Sequence, residues 1–315
     1  MNDVGPGDEF LGRRAFGPGK VILLGEHGVV YGHPALAAPL DRGITALGEP
    51  ASRCGLVVPE SAPPRAAALL RRAFAKLSAG LGRPPIRVRL HSDIPLSMGL
   101  GSSGALAVAC ARLLLEARTR RPARTADVEK WAWVMEREFH GTPSGVDHTT
   151  SARGTLLYYR RAPGTGVARA AEVRPARPLH LVVALAGERT GTKQTVAALR
   201  ARTQAWPRRY ERLFRGIGAL VDEARGAVES GDLASLGDLM NMNHGMLSAL
   251  GLSSERLDGL VHRLRGLGAH GAKLSGAGGD GGAVIALFQD SQGPLRALRQ
   301  DGVPCFGSVV PGRDA

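Results

Sequence analysis

Residues 95–105 read PLSMGLGSSGA, and this stretch decides how the rest of the chain is interpreted. From Gly104 the chain continues as GALAVACARLLLEA, an alanine-rich sequence with helical character. Gly99 and Gly101 allow the backbone to turn tightly and to come close to a ligand. The helix that follows directs its unpaired N–H groups and the positive end of its dipole at the same place. The stretch therefore predicts a seat for phosphate, with a polyphosphate as the expected occupant.

The glycine pattern differs from the two common nucleotide-binding fingerprints. A Walker A loop needs GxxxxGK[ST] and a dinucleotide fold needs GxGxxG, whereas the second glycine here is followed by Ser102 and Ser103. A glycine-rich turn before a helix is also often only a turn. Taken alone, the segment leaves a phosphate site and a structural turn both open.

Length and composition indicate a globular protein of two domains. The chain has 315 residues, which is long for a single core, and 43% of them are hydrophobic. No apolar run reaches the ~18 residues of a membrane span, and the N-terminus lacks the residue order of a signal peptide. A cytoplasmic location is therefore expected. The cysteines are far apart and odd in number, which argues against a disulfide framework or a structural zinc site.

The net charge of +13 raises the hypothesis of nucleic-acid binding, because basic surfaces attract phosphates. Arginines are spread over nearly every segment, however, and aromatic residues make up only 4% of the chain, too few for a base-stacking platform. Lysine is the sharper signal, since the chain has so few and since Lys20, Lys193 and Lys273 lie inside motifs. Lys193 fits phosphate orientation and a helix-terminal lysine equally well.

Periodicity predicts a mixture of helices and strands. The expected helices cover residues 65–79, 102–117, 126–139, 192–204, 207–229, 232–249, 253–267 and 292–300. The expected strands cover residues 20–25, 86–91, 179–186, 271–275, 282–288 and 304–309. A polar stretch with proline and glycine at 160–178 predicts a loop and the approximate domain boundary, so the expected domains are 1–170 and 171–315.

Three polar residues frame a predicted strand near the N-terminus, in GPGKVILLGEHGVVYGHPAL. Lys20 begins the strand, and Glu26 and His27 follow its end. Residues at which a chain leaves a strand can be held rigidly and still face a cleft. A strand-edge lysine and a solvated turn explain the same pattern, so both interpretations stay open on this segment alone.

A second informative segment is WAWVMEREFHGTPSGVD, residues 131–147. Glu136 lies near the end of a predicted helix, where a carboxylate opposes the negative end of the dipole and needs a compensating cation. A magnesium ion carried by a nucleotide would serve. HGTPSGVD then predicts a rigid turn that presents Asp147. His140 is more often a capping or packing histidine than a catalytic one.

The third segment is AKLSGAGGDGGAVIAL, residues 272–287, where glycines crowd between two strand-like runs. Few structural turns need so many glycines, whereas a backbone that closes over a bound ligand does. We therefore predict a ligand-binding loop here.

Together and in order, the three segments resemble the signature motifs of the galactokinase, homoserine kinase, mevalonate kinase and phosphomevalonate kinase superfamily, the GHMP kinases. The resemblance rests on PGKVILLGEHGVVYGHPALAAPL, on ERxxHGxPSGVD from Glu136 to Asp147, and on MNMNHGMLSALGLSSERLD at 240–258 leading into GAHGAKLSGAG. It spans nearly residues 15–290, and the mevalonate kinases are the members that the chain resembles most.

The resemblance implies an α+β fold of two domains, the first like domain 2 of ribosomal protein S5 and the second ferredoxin-like. It implies ATP and Mg2+ as cofactors and the phosphorylation of mevalonate to 5-phosphomevalonate in isoprenoid biosynthesis. The alternative is a related kinase that acts on phosphomevalonate, a sugar or another small alcohol. No nucleic-acid or membrane partner is expected, and a homodimer is left open. A catalytically silent ligand sensor on the same fold is disfavoured, because such a protein would lack Lys20, Glu136 or Asp147.

The resemblance also implies roles for individual residues. Asp147 matches the position of the proposed catalytic base, and Lys20 matches the lysine beside it, which would favour the ionised carboxylate. Ser103 and Glu136 resemble the Mg2+ ligands. The residues expected on the substrate side are Lys20, Glu26, His27, Ser144 and Asp147. Those expected to hold ATP are Pro95, Met98, Gly99, Leu100, Gly101, Ser102, Ser103, Gly104, Ala105, Gly276 and Gly278.

Three positions depart from the family pattern. Gly104 stands where an alanine is frequent, which we expect to loosen the start of the helix slightly. Arg153-Gly154-Thr155 replaces a frequent WGG, which we expect to alter the wall of the substrate pocket. Asp280 brings a carboxylate into the glycine-rich segment at 276–282, here called the glycine loop. The side chain must point outward there or weaken nucleotide binding.

Overall fold

The computed structural model describes residues 13–161, 168–187 and 192–313, without the side chains of residues 192 and 193. The side chain of Lys193 therefore lies outside the described residues. The strands are β1 (Arg14–Leu24), β2 (Ala35–Pro50), β3 (Gly55–Leu56), β4 (Ile86–Ser92), β5 (Leu157–Arg161), β6 (Ala168–Glu172), β7 (Leu179–Leu185), β8 (Gly271–Ser275), β9 (Ala283–Phe288) and β10 (Cys305–Val310). The helices are α1 (Pro64–Gly80), α2 (Ser102–Thr119), α3 (Thr125–His140), α4 (Val146–Arg153), α5 (Thr192–Ala205), α6 (Pro207–Ser230), α7 (Leu233–Ala249), α8 (Glu255–Gly266) and α9 (Gln292–Gln300).

The helices expected from periodicity are all present. Strands β2, β3, β5 and β6 and helix α4 are not among the expected elements, and β6 lies inside the loop expected at 160–178, so that part of the prediction is wrong. Strand β2 interrupts its apolar residues with a proline and two glycines, so its pattern does not alternate as that of a half-buried strand does. Pairing with β4 on one part and with β5 on another holds it extended. Helix α4, VDHTTSAR, is short and has no apolar periodicity, and its packing against α2 and α3 holds it in place instead.

One compact unit comprises the residues up to Gly19 together with Arg42–Pro95 and Gly101–Gly154. In it the end of β2 pairs antiparallel with β4, and β3 runs parallel to β4. Helix α2 is buried along most of its length and packs against α3 and α4. Strand β1 lies on the start of α2 so closely that a Cβ atom at Gly17 would come within 2.0 Å of the Ala105 carbonyl oxygen. This backbone contact fixes where α2 begins.

The other compact unit comprises Lys20–Asp41, Leu96–Leu100 and the residues from Thr155 onward. Its core is a four-stranded antiparallel sheet in the order β10-β7-β9-β8. Helices α6, α7 and α8 contribute apolar side chains to this core, and β8 and β9 are buried along their full length. Helix α7 contacts β8 through two glycines, since a Cβ atom at Gly271 would come within 2.1 Å of the Gly237 carbonyl oxygen.

The packing units are interleaved along the chain, because the ranges of β1 and β2 each extend from one unit into the other. The division into sequence domains at residue 170 stays a prediction. Of the described helices, none combines the length and the apolar character that crossing a bilayer requires.

Two methionines on α7 test how this helix packs. Met240 is fully buried, whereas Met242 is 48% exposed. Replacing Met240 with alanine should lower the free energy of unfolding by about 2–5 kcal/mol, because the cavity it leaves cannot collapse fully. The matched change Met242→Ala should cost less than about 0.5 kcal/mol. Denaturant unfolding followed by circular dichroism measures both, and equal losses would contradict the described orientation of α7.

Candidate active site

The segment predicted to bind phosphate, residues 95–101 and here called the phosphate loop, leads into α2 through backbone conformations that favour glycine. Gly99 and Gly101 have φ values of 86° and 69°, and the non-glycine Ser97 adopts 63°. Gly101 is the N-cap of α2, and no described side chain caps the helix there. The first helical hydrogen bond runs from the Ala105 N–H to the Gly101 carbonyl, at 2.9 Å. These backbone conformations fit an anion site at the N-terminus of α2, and the binding of phosphate there stays a prediction.

Ser103 and Glu136, the two expected Mg2+ ligands, are joined by a histidine. The Ser103 hydroxyl lies 2.9 Å from His140 Nε2, and that nitrogen lies 3.9 Å from Glu136 Oε1. Ser103 is thus not a helix cap. Glu136, in the last part of α3, is only 1% exposed although it is a carboxylate. Burial of a charged group is costly unless a partner compensates it. These contacts fit a packing role for His140 as well as a catalytic one, and its four-residue spacing from Glu136 is the signal that the sequence carries for it.

Asp147 lies in the first turn of a helix and not at the tip of a turn. The HGTPSG turn ends at Gly145, which is the N-cap of α4 and has a φ of 93°. Val146 is the first helical residue. The Ser144 hydroxyl accepts a hydrogen bond from the Val146 N–H at 3.4 Å. The predicted turn is therefore shorter than expected, because a carboxylate in the first turn stabilises the helix dipole and the helix extends to include Asp147.

Gly104 packs directly on Asp147. A Cβ atom at position 104 would lie 2.8 Å from the carbonyl carbon of Asp147 and 2.9 Å from the nitrogen of His148, distances that real Cβ atoms essentially never show. The missing side chain therefore has a second effect besides its lower helix propensity, because it lets α4 approach α2 closely. This departure from the family pattern is a packing requirement in this chain.

His148 adjoins Asp147 on the buried side of α4. Its ring lies 5.3 Å from that of Trp133, and burial lowers its pKa to about 4. The imidazole is therefore neutral near pH 7, and its Nδ1 atom has no hydrogen-bond partner among the described residues. The sequence carried no signal for this residue beyond its position next to Asp147.

Lys20 connects the first strand to the phosphate loop. Its side chain is 3% exposed and it lies within β1, which begins at Arg14, so the prediction that Lys20 begins the strand is wrong. Its backbone N–H donates to the Leu100 carbonyl at 2.9 Å, and Leu100 is itself buried. The strand that carries the lysine thus holds the end of the phosphate loop.

Glu26 forms a buried ion pair with Lys273, which no local pattern reveals. Both side chains are at most 1% exposed, and Lys273 Nζ also donates to the carbonyls of Ile22 and Leu274, at 3.3 and 2.7 Å. Burial raises the pKa of the Glu26 carboxyl and lowers that of the Lys273 ammonium, while their mutual attraction opposes both shifts. Glu26 is therefore not part of a solvated turn.

The glycine loop contacts both His27 and the phosphate loop. His27 has a left-handed backbone, with φ of 58°, and its Nε2 atom lies 3.1 Å from the Ala277 carbonyl oxygen. A Cβ atom at Gly276 would lie 3.0 Å from the Cα atom of Gly99. Asp280 is exposed, as a carboxylate in this loop was expected to be.

Family models match both halves of the chain. The GHMP kinases N terminal domain matches residues 65–155, and the GHMP kinases C terminal domain matches residues 224–300. The chain belongs to the GHMP kinase family. The expected α+β fold, with its S5-like and ferredoxin-like domains, is confirmed.

The similar proteins include several mevalonate kinases. That of Pyrococcus horikoshii is 36% identical over 311 residues, covering 88% of this chain and 89% of the relative. That of Aeropyrum pernix is 36% identical over 297 residues and covers 89% of each. The crystal structure of L. major mevalonate kinase in complex with R-mevalonate has a TM-score of 0.83 and 30% identity, covering 95% of this chain and 96% of that one.

The close packing of Gly104 on Asp147 makes a test of this GHMP kinase site. Gly104→Ala should lower turnover by about 10-fold or more, because α4 must shift and a misplacement near 1 Å is costly. The control is Gly226→Ala on α6. A Cβ atom there would have no described atom within 4 Å apart from those of its chain neighbours and of its own helix backbone. It should leave turnover unchanged and stabilise the fold by about 0.5–1 kcal/mol. Steady-state kinetics and thermal melts measure both, and normal turnover in Gly104→Ala would contradict the packing.

Proposed function

We propose that this GHMP kinase transfers the γ-phosphoryl group of ATP to the primary hydroxyl of mevalonate. The observation that carries the proposal is the agreement of relatives 31–36% identical to the chain, which are mevalonate kinases and match over 86–89% of it. Structures of a galactokinase and of phosphomevalonate kinase are 17–18% identical and support the fold alone. Mevalonate is therefore favoured over a sugar or phosphomevalonate.

The residues around Glu136 fit a magnesium ion that arrives on the nucleotide. Mg2+ prefers oxygen ligands and is commonly bound through one or two protein groups plus substrate phosphates. The Glu136 carboxylate and the Ser103 hydroxyl supply oxygen atoms around one histidine nitrogen. The described residues contain no group of three or more potential metal-binding side chains that could hold an ion alone. When bound, Mg2+ would neutralise phosphate charge, with Glu136 and Ser103 holding it.

Phosphoryl transfer requires positioning and charge neutralisation more than covalent work from the protein. The phosphate loop and the N-terminus of α2 would bind the triphosphate through backbone N–H groups. Asp147, on the first turn of α4, would orient the mevalonate hydroxyl and accept its proton. The ammonium of Lys20 would offset the charge that develops on the transferred group. Glu26, His27 and Ser144 would line the substrate side, and Gly276 and Gly278 would cover the nucleotide.

The other expectations concern the setting of the reaction. A place in isoprenoid biosynthesis follows from mevalonate as substrate. It stays a prediction that the protein is cytoplasmic and that it binds no nucleic acid. Whether it forms a homodimer stays open.

A substrate panel tests the proposed activity directly. The purified protein is incubated with Mg-ATP and, in turn, mevalonate, phosphomevalonate, galactose and homoserine, and ADP release is followed. We expect kcat/KM for mevalonate to exceed the others by about 100-fold or more, because hydrogen-bonding sites reject substrates that leave polar groups unpaired. A clear preference for another alcohol would replace mevalonate in the proposal and leave the family unchanged.

Replacing Asp147 with asparagine tests its role as the base. The amide keeps the shape of the side chain but cannot accept the proton, so kcat should fall by about 100-fold or more. The affinity for Mg-ATP, measured by calorimetry, should change by less than about 2-fold because the amide removes no nucleotide contact that we propose. Asp238→Asn, an exposed position on α7, is the matched control and should behave as wild type. Near-normal turnover in Asp147→Asn would remove Asp147 from the mechanism.

A further inference from the structure

The loop between α7 and α8, residues 250–254, contacts the glycine loop through the carbonyl group of Leu252. The Leu252 carbonyl accepts a hydrogen bond from the Gly279 N–H at 2.9 Å. A Cβ atom at Gly278 would come within 2.1 Å of the same oxygen. Because Gly276 in turn lies against Gly99, the position of the Leu252 carbonyl sets how the glycine loop meets the phosphate loop.

A polar network with one buried member, His244, holds this α7–α8 loop at Ser253, one residue away from Leu252. Asp258, in the first turn of α8, uses Oδ1 to accept a hydrogen bond from the Ser253 hydroxyl at 2.5 Å. The same oxygen lies 3.0 Å from Nε2 of His244, a buried residue of α7. The network thus joins the loop to the two helices that flank it.

The histidine has one protonation state that satisfies all of its contacts. Its Nδ1 atom accepts the backbone N–H of Leu274 on β8, at 3.4 Å, so the proton lies on Nε2 and is donated to Asp258. Burial lowers the pKa of His244 to about 4, so this neutral form persists near pH 7. Lys273 holds the carbonyl of the same Leu274, which ties the network to the strand that bears the buried ion pair.

Packing alone does not explain a polar network at this place. Leu250 and Leu252 are fully buried and already anchor the loop by their side chains. A hydrogen-bonded network depends on direction as well as on distance, so it fixes the orientation of the groups that it joins. The group whose orientation matters next to Ser253 is the Leu252 carbonyl.

We propose that His244, Asp258 and Ser253 position the glycine loop for the triphosphate of ATP. The three are positioning residues, since they act through the Leu252 carbonyl and the Gly278–Gly279 backbone. The readout in turnover rests on the proposed function, whereas the readout in nucleotide binding rests on the family fold.

Ser253→Ala is the mildest test, because the side chain is only half-buried and its loss leaves the fold intact. We expect the KM for Mg-ATP and the calorimetric Kd for a non-hydrolysable Mg-ATP analogue each to rise by about 10-fold, the scale of one hydrogen bond to a charged group. The KM for mevalonate should stay within about 2-fold. The matched control is Ser308→Ala on β10, which removes a buried hydroxyl that bonds the Asp41 N–H and should change neither constant.

Variants of His244 give a second, independent measurement. His244→Gln retains an N–H donor for Asp258, whereas His244→Ala retains none. We expect the glutamine variant to bind the analogue about 10-fold more tightly than the alanine variant at equal thermal stability. Equal affinities in the two variants, or a change in Ser253→Ala no larger than in Ser308→Ala, would overturn the proposal. A wild type that binds the analogue but does not phosphorylate mevalonate would instead overturn the proposed function.

Discussion

The closeness with which backbones approach one another at glycine is the constraint on which this structure depends. Gly17 lies on the start of α2, Gly104 on the peptide after Asp147, and Gly278 on the Leu252 carbonyl. At each place a Cβ atom would overlap backbone atoms, which cannot move aside as the end of a flexible side chain can. The proposed catalytic groups are therefore positioned by main-chain contacts, and side chains adjust around them.

Buried charge is the second organising feature. An ion pair inside a protein contributes little net stability, because the cost of removing two charges from water offsets their attraction, yet removing one partner is strongly destabilising. Glu26, just after β1, pairs with Lys273 of β8, and the bonds of Lys273 and Ser275 to the backbone of Ile22 fix how the two segments align. The charges thus contribute specificity of arrangement more than stability.

Sequence patterns predicted the elements whose formation depends on neighbouring residues. The helix expected at 292–300 and the strand expected at 271–275 coincide with α9 and β8, since apolar period and glycine breaks act within a few residues. Helix α4 escaped prediction because its burial depends on α2 and α3, which lie far away along the chain.

The candidate site shows the same limit. Its motifs identified Ser103, Glu136 and Asp147, whereas the bond of His140 to Ser103 depends on the packing of α2 on α3. The partner of Glu26 is 247 residues away, and no spacing rule reaches that far. The roles themselves stay predictions, because geometry shows which groups meet and not which reaction they perform.

The left-handed backbone of His27 has a consequence for how this chain tolerates change. A side chain with a Cβ atom at that φ stores about 1 kcal/mol, which glycine would release. Replacing His27 with glycine would relieve this strain but would also remove the contact of the imidazole with the Ala277 carbonyl, so the two effects on stability oppose each other. With histidine at this position, the chain keeps the contact between the imidazole and the glycine loop together with a strained backbone.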